Sequence, residues 1–228
     1  MTTTLTGISS MATRLILAEL GQRYEAQTGV ASAIQSMGGV DAAAKVRAGE
    51  QTDIVILASG PMAKLEAEGH LVAGSVKGFT RSGMAIAVKA GAAQPDISSE
   101  AAVKAAVLAA DKVCYSTGPS GDHLLALAAK WGLATDDPKL VKAPPGIPVG
   151  SLVAQGDADL GFQQLSELIH VQGIVVLGPL PPEIQNVTVF AAGVATTSKQ
   201  PEATAALVAY LASAETAAVK QAQGMEPA

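Results

Sequence analysis

Apolar and polar positions alternate over short runs, and amphipathic stretches separate those runs, so the pattern predicts strands and helices in turn. Leu5 opens a short strand that ends at Gly7-Ile8-Ser9-Ser10, and the following stretch sets Ile16, Leu20 and Tyr24 on one helical face. Ser9 or Ser10 is placed to cap that helix with a side-chain oxygen, and Gly29 to close it. A second strand over Ala31–Ser36 runs through Met37-Gly38-Gly39 into a helix over Asp41–Ala48, closed by Gly49. A third strand covers Asp53–Leu57, and Ser59-Gly60-Pro61 starts a helix that Gly69 ends. This βαβαβα order predicts a parallel sheet with helices on both faces.

The pattern then restarts. Around Thr80-Arg81-Ser82-Gly83 the chain enters a long strand, Met84–Lys89, and Ser98-Ser99-Glu100 leads to a helix over Ala101–Ala110. A buried strand over Lys112–Tyr115 meets Ser116-Thr117-Gly118-Pro119-Ser120-Gly121, and Leu124, Leu127, Ala128 and Trp131 follow at helical spacing. Gly132–Lys142 reads as a polar surface loop, and Pro144-Pro145-Gly146-Ile147-Pro148 as a rigid turn before a helix over Val149–Gln155, capped by Gly156. Asp159–Phe162 is a short strand, followed directly by Gln163-Gln164-Leu165-Ser166-Glu167. Gly178-Pro179-Leu180-Pro181-Pro182 is the strongest linker, because its prolines cannot continue a strand or helix. Val187–Val194 reads as a strand, and Pro201–Leu211 and Ala214–Gln223 as helices that return to the first lobe. The expected division is a lobe I of residues 1–81 plus 182–228 and a lobe II of 82–181, with a ligand cleft between them.

Composition narrows the function classes. Of 228 residues, 49% are apolar and 15% charged, so a substantial core can form and disorder is excluded. A net charge of −5 and 3% aromatics remove the basic footprint and stacking platform of a nucleic-acid binder. The single cysteine, Cys114, sits in a strand predicted to be buried and forms no disulfide within the chain. His70, His123 and His170 lack metal-ligand spacing, so no metal and no cofactor is expected. No apolar run reaches the ~18 residues of a membrane span, and Thr2-Thr3-Thr4-Leu5 lacks the marks of a signal peptide. The expected compartment is the cytoplasm if Met1 is the native start, and otherwise the periplasm after signal-peptide removal.

The small-residue and polar turns all follow strands, at the carboxyl ends where open α/β sheets bind ligands. The Ser116–Gly121 junction is the sharpest of them. A helix start carries roughly +0.5 charge, and Ser120 and Gly121 are small enough for an anion to approach. Ser9-Ser10, Gly38-Gly39, Ser120-Gly121 and Gln163-Gln164 are therefore expected to converge on a small anionic ligand.

The chain resembles the type II periplasmic-binding-protein superfamily, specifically the molybdate-binding component of bacterial ABC importers. The resemblance rests on Ser9-Ser10-Met11, Tyr24-Glu25-Ala26-Gln27-Thr28-Gly29-Val30, Val46-Arg47-Ala48-Gly49 before the Asp53–Ile56 strand, and Gly156-Asp157-Ala158-Asp159-Leu160-Gly161. Ser198–Ala203 and Tyr210–Glu215 complete it. It implies a two-lobed α/β fold with mainly parallel sheets flanked by helices, an importer membrane component as partner, no membrane insertion and a monomer. That family grips its oxyanion with serines, helix-start amides and a tyrosine. Ser10 matches the first serine and Ser120 the helix-start amide, but Gly38-Gly39 replaces the second serine and Gln163-Gln164 the tyrosine. Glutamine both donates and accepts, which suits a carboxylate or hydroxy acid better than a metal oxyanion. Arg81, beside Ser82, is a candidate bidentate carboxylate contact.

Two functions follow, beside a third, a cytoplasmic ligand sensor with neither transporter nor chemistry. The first is a solute-binding protein that closes on a small anion, oxyanion or carboxylate. The second is a cytoplasmic isomerase of an unsaturated di- or tricarboxylate, since relatives of this group include an aconitate isomerase. That chemistry needs a positioned acid/base and donors on the carboxylates. His123 and Glu167 are its catalytic candidates, with Ser10, Ser120 and Arg81 on the carboxylates.

Overall fold

The computed structural model describes residues 3–144 and 146–228; Met1 and Thr2 of the N-terminal reading and Pro145 of the proline turn lie outside the described residues. The chain forms two compact units, one running to Arg81 and resuming over Thr188–Ala228, the other Ser82–Val187.

In the first unit, β1 (Thr4–Ser10) pairs in parallel with β2 (Ala31–Met37) and β3 (Ile54–Ala58), and β2 is the outer strand. The sheet is mixed, because β9 (Val187–Val194) returns antiparallel to β3. Strand alternation divides the apolar residues cleanly. Ile54 and Ile56 face α1 (Arg14–Thr28), α8 (Pro201–Ala212) and α9 (Ala217–Ala222), whose Leu20, Tyr24, Leu207, Leu211 and Val219 share their core. Val55 and Leu57 face α2 (Gly39–Arg47) and α3 (Ser59–Ala67), with Val46, Met62 and Leu65. Each such buried side chain contributes about 1.5–3 kcal/mol of transfer free energy. The C-terminal helices thus do cover the first lobe.

Two polar groups are fixed in this unit. Asp53 accepts from Thr6 N (2.9 Å), Thr6 Oγ1 (3.0 Å) and Ser198 Oγ (2.7 Å). Burial pushes its pKa up, but the hydrogen bonds from Thr6, Ser198 and Lys199 outweigh that and hold it below the usual carboxylate value. Lys220 is 1% exposed, its ammonium 5.9 Å from the centre of the Phe79 ring, and desolvation lowers its pKa.

The second unit places β5 (Val113–Tyr115) in parallel between β6 (Leu140–Lys142) and β7 (Leu160–Gln164). The long strand β4 (Lys77–Lys89) and then β8 (Ile174–Pro179) join it antiparallel. Helices α4 (Glu100–Ala109) and α5 (Pro119–Lys130) pack on Ile86, Val113 and Phe162, while α6 (Val149–Gln155) and α7 (Leu165–Leu168) lie over Cys114 and Ala85. Cys114 is fully buried, and desolvation pushes its thiol up to about 11.

Several sequence expectations change. Ser9 and Ser10 do not cap α1. A single 3-10 turn, Met11–Thr13, intervenes, and no side chain caps either helix. The end of the polar Gly132–Lys142 loop is strand β6, recruited because Val113–Tyr115 offers it a free edge. The proline-rich stretch is not a bare linker. β8 runs into Pro179 at its end, where a missing N–H is tolerated, and Leu180 and Ile184 are buried in the second unit's core. A two-residue strand, β10 (Glu226–Pro227), pairs with β4 at Thr80 and Arg81. Among the described residues no helix is long and apolar enough to cross a membrane.

Candidate functional site

The expected binding residues fall into one group on each unit. On the first, parallel registration of Ser9 with Ser36 and Ser10 with Met37 brings Ser9, Ser10, Gly38 and Gly39 to the carboxyl ends of β1 and β2. Ser9 Oγ lies 2.8 Å from Ser36 Oγ, and Ser10 Oγ 3.5 Å from Thr13 Oγ1. Gly38 is the N-cap of α2 and Gly39 its first residue, where a Cβ would meet nothing within 4 Å.

On the second unit, Tyr115 registers with Phe162 and Met84 with Gln164. Ser82, Ser120, Gly121, Gln163 and Gln164 are thereby gathered at the carboxyl ends of β5 and β7. The turn into α5 needs its glycine. Gly118 has φ 115° and ψ −166°, a region essentially closed to other residues. Pro119 then occupies the first helical turn, where no N–H is missed. Asp122 N–H makes a bond back to Gly118 O (3.0 Å), leaving the amides of Ser120 and Gly121 ahead of the helical ladder. Ser120 is 3% exposed, and its Oγ lies 2.9 Å from Ser116 Oγ. Gly121 is small for a different reason than ligand access. A Cβ there would stand 1.8 Å from Ser116 O, so α5 lies against the preceding loop only because that side chain is missing.

The remaining candidates are tied into the protein itself. Gln163 is a bridge: its Oε1 accepts from Val149 N at the start of α6 (3.1 Å), and its Nε2 donates to Glu167 Oε1 (2.7 Å). His123 Nε2 sits 2.8 Å from Ile184 O. A carbonyl only accepts, so Nε2 carries the proton and Nδ1 is the basic nitrogen. Arg81 directly precedes Ser82, on the stretch of β4 that pairs with β10, and its guanidinium holds Glu226 at 2.9 Å (Nε) and 2.7 Å (Nη2). Among the described residues no group of three or more His, Cys, Asp and Glu could hold a metal ion.

One structural residue escaped the sequence reading. Gln185 Oε1 accepts from Met84 N (2.8 Å) and Asn186 N (2.9 Å), while its Nε2 donates to Met84 O (3.1 Å) and Leu180 O (3.3 Å). The side chain acts as a short piece of strand that fixes β4 next to Ser82 and Gly83. Nothing in local patterning marks a glutamine for that role.

Known proteins resemble this chain over its whole length. The sequence model of a family described as bacterial extracellular solute-binding protein matches residues 5–226. An aconitate isomerase from Pseudomonas sp. is 36% identical over 232 residues, covering 99% of this chain and 88% of that protein. Among solved structures, the periplasmic molybdate-binding protein of Azotobacter vinelandii superposes with a TM-score of 0.78 at 20% identity, over 97% of this chain and 98% of its own. The substrate-binding domain assigned to a molybdenum ABC transporter of Clostridium difficile gives 0.74 at 18% identity, over 99% of each chain.

Proposed function

We propose, from the premise that this chain belongs to the family of bacterial extracellular solute-binding proteins, that it binds a small carboxylate anion. The observation that carries this reading is the start of α5. There the buried Ser120 hydroxyl and the first helical amides share the carboxyl ends of β5 and β7 with Gln164, itself 3% exposed. Helix-start amides favour negative charge, and a glutamine amide carries an N–H donor suited to a carboxylate oxygen and a C=O acceptor suited to the hydroxyl of a hydroxy acid. As a carrier the protein would work in the periplasm, handing its ligand to the membrane component of an importer.

A second reading makes the same site catalytic, and the 36% identity to an aconitate isomerase favours it. In an allylic isomerisation one proton leaves the methylene carbon and the electron pair spreads into a dienolate. One proton then returns at the former vinylic carbon, with nothing else gained or lost. Glu167, oriented by Gln163, and His123, through Nδ1, are the groups for those transfers. The Ser120 hydroxyl and α5 amides would hold carboxylate charge as it delocalises.

The test is a thermal-shift titration against molybdate, tungstate, sulfate, phosphate, cis- and trans-aconitate, citrate and tricarballylate. A ligand at 100 times its Kd adds about 2.7 kcal/mol of stability. Stabilisation by a carboxylate and not by the inorganic anions is expected, with Ser120→Ala and Gln164→Leu weakening it. A response to molybdate or tungstate alone would overturn the carboxylate reading. Proton NMR of cis-aconitate with the protein separates carrier from enzyme: conversion that is lost in Glu167→Gln or His123→Ala supports catalysis, and an unchanged spectrum removes it.

A further inference from the structure

The proline-rich stretch that patterning marks as a linker is built into the second unit as a closed loop, which leaves and returns to one residue of β4. Leu180 N–H donates to Met84 O at 3.0 Å, and at the far end of the loop Met84 N–H reaches Asn186 O at 3.3 Å. The Gln185 amide closes the loop: Oε1 accepts from Met84 N and Asn186 N, and Nε2 donates to Met84 O and Leu180 O. Gly83 leaves room for it, since a Cβ there would stand 3.3 Å from both Cδ and Nε2 of Gln185. The loop is stiff. Pro181 and Pro182 fix their own φ angles, and Ile184 N–H closes a 3-10 turn on Pro181 O at 3.0 Å.

Base and tip of this loop both bear on the proposed anion site. At its base, Met84 registers with Gln164 across β4 and β7, and Ser82 precedes Met84 on the same strand. At its tip, His123 Nε2 donates to Ile184 O at 2.8 Å. His123 follows Ser120 on α5 at the i, i+3 spacing that makes helix residues neighbours. One stiff loop therefore joins the strand pair that carries Gln164 to the helix turn that carries Ser120. Burial of Leu180 and Ile184 already anchors the loop in the unit's core. The amide and the imidazole add direction rather than burial, because a hydrogen bond contributes only modest net stability but constrains geometry closely.

We infer that the Leu180–Asn186 loop is a brace that sets the spacing between the start of α5 and the Gln164 end of β7, with Gln185 and His123 as positioning residues of the ligand site. The inference rests on the carboxylate reading above and deepens it. A hydroxyl and an amide serve one small anion together only when both lie within hydrogen-bond distance of it, and the brace holds the two elements at one separation. Neither positioning side chain touches the ligand. The role given to His123 needs only its Nε2–H and is separate from any proton carried on Nδ1.

Isothermal titration calorimetry with cis-aconitate, trans-aconitate, citrate and tricarballylate tests the brace, at a temperature where circular dichroism shows each variant folded. Gln185→Met and His123→Leu are expected to weaken binding about tenfold by loosening the site. His123→Gln, whose amide nitrogen still donates to Ile184 O, keeps wild-type affinity. Val107→Ala is the control for stability alone: it opens a cavity in the core on α4, which leads into the amino end of β5, so it lowers the melting point and leaves affinity unchanged. Added to Gln164→Leu, Gln185→Met brings no further loss, because it acts through that residue. Wild-type affinity in both Gln185→Met and His123→Leu overturns the brace, as does an additive loss in the double variant or a His123→Gln protein as weak as His123→Leu. Where Gln185→Met does not fold, the two His123 variants decide. A wild type that binds none of the four acids overturns the carboxylate reading and the brace with it, whereas a wild type that binds while the variants match it overturns the brace alone.

Discussion

Gly121→Ala adds one methyl group at the point where α5 meets the preceding loop. The new Cβ would lie 1.8 Å from Ser116 O, 3.0 Å from Ser116 C and 3.1 Å from Tyr115 Cδ2, whereas ordinary contact begins near 3.4 Å. About 1.6 Å must be made up against a backbone carbonyl, which cannot swing aside as a side chain can. Moving α5 by that much disturbs the Ser116–Ser120 contact and the packing of Leu124 and Leu127. Overpacking of this severity costs about 3–4 kcal/mol, and the better helix propensity of alanine returns about 1. The net loss of about 2–3 kcal/mol corresponds to a melting point lowered by about 4–12 °C. Trp131 is the chain's single tryptophan, 6% exposed at the end of α5, so its fluorescence reports on this unit directly. Gly39→Ala is the control, because α2 begins there with open space at the Cβ position, and its melting point should stay level or rise slightly. A Gly121→Ala protein that melts within about 1 °C of wild type would refute the account of how α5 is seated.

Other residues make equally direct tests. Lys220→Met exchanges a desolvated ammonium for an apolar chain of similar volume and should stabilise by about 1–3 kcal/mol at neutral pH. Because the folded state lowers this lysine's pKa, the unfolded state binds more protons below 10.5. The advantage of Lys220→Met over wild type should therefore shrink as the pH is raised toward that value in urea melts. Asp53 has the opposite sign: its folded pKa is depressed, so its contribution is present above the unfolded carboxylate value and is lost as pH falls through the folded one. Asp53→Asn should cost about 1–3 kcal/mol near pH 7 and progressively less in acid, and a difference independent of pH would contradict it. Cys114 should not react with a thiol reagent at pH 8 until the protein is unfolded; rapid labelling of native protein would mean the β5 strand opens to solvent.

The parallel layers were legible in the chain because alternation and helical spacing coincide with glycine stops, as at Gly29, Gly69 and Gly156. What was missed lies where a tertiary partner overrides local pattern. β6 is polar enough to read as loop and becomes a strand only because β5 accepts it, while the prolines that end β8 concealed the run before them. At the candidate site, the carboxyl-end placement of Ser9, Ser10, Ser120 and Gln164 could be read from strand order. The partners that hold Arg81, His123 and Gln163 could not, because Glu226, Ile184 and Val149 lie 14 to 145 residues away in sequence.

The first unit is assembled from both ends of the chain, and this fixes an order of events during synthesis. Ser82–Val187 is contiguous and can complete its sheet as soon as it has emerged from the ribosome. β1, β2 and β3 are made earlier, yet α1 alone covers their Ile54–Ile56 face until Leu207, Leu211 and Val219 arrive near the end of translation. For that interval the part of this face that α1 leaves bare is open to water and to neighbouring nascent chains. The last thirty or so residues therefore act as a built-in cover, and a stalled or clipped polypeptide that lacks them should be directed to aggregation or degradation while its central unit is already folded.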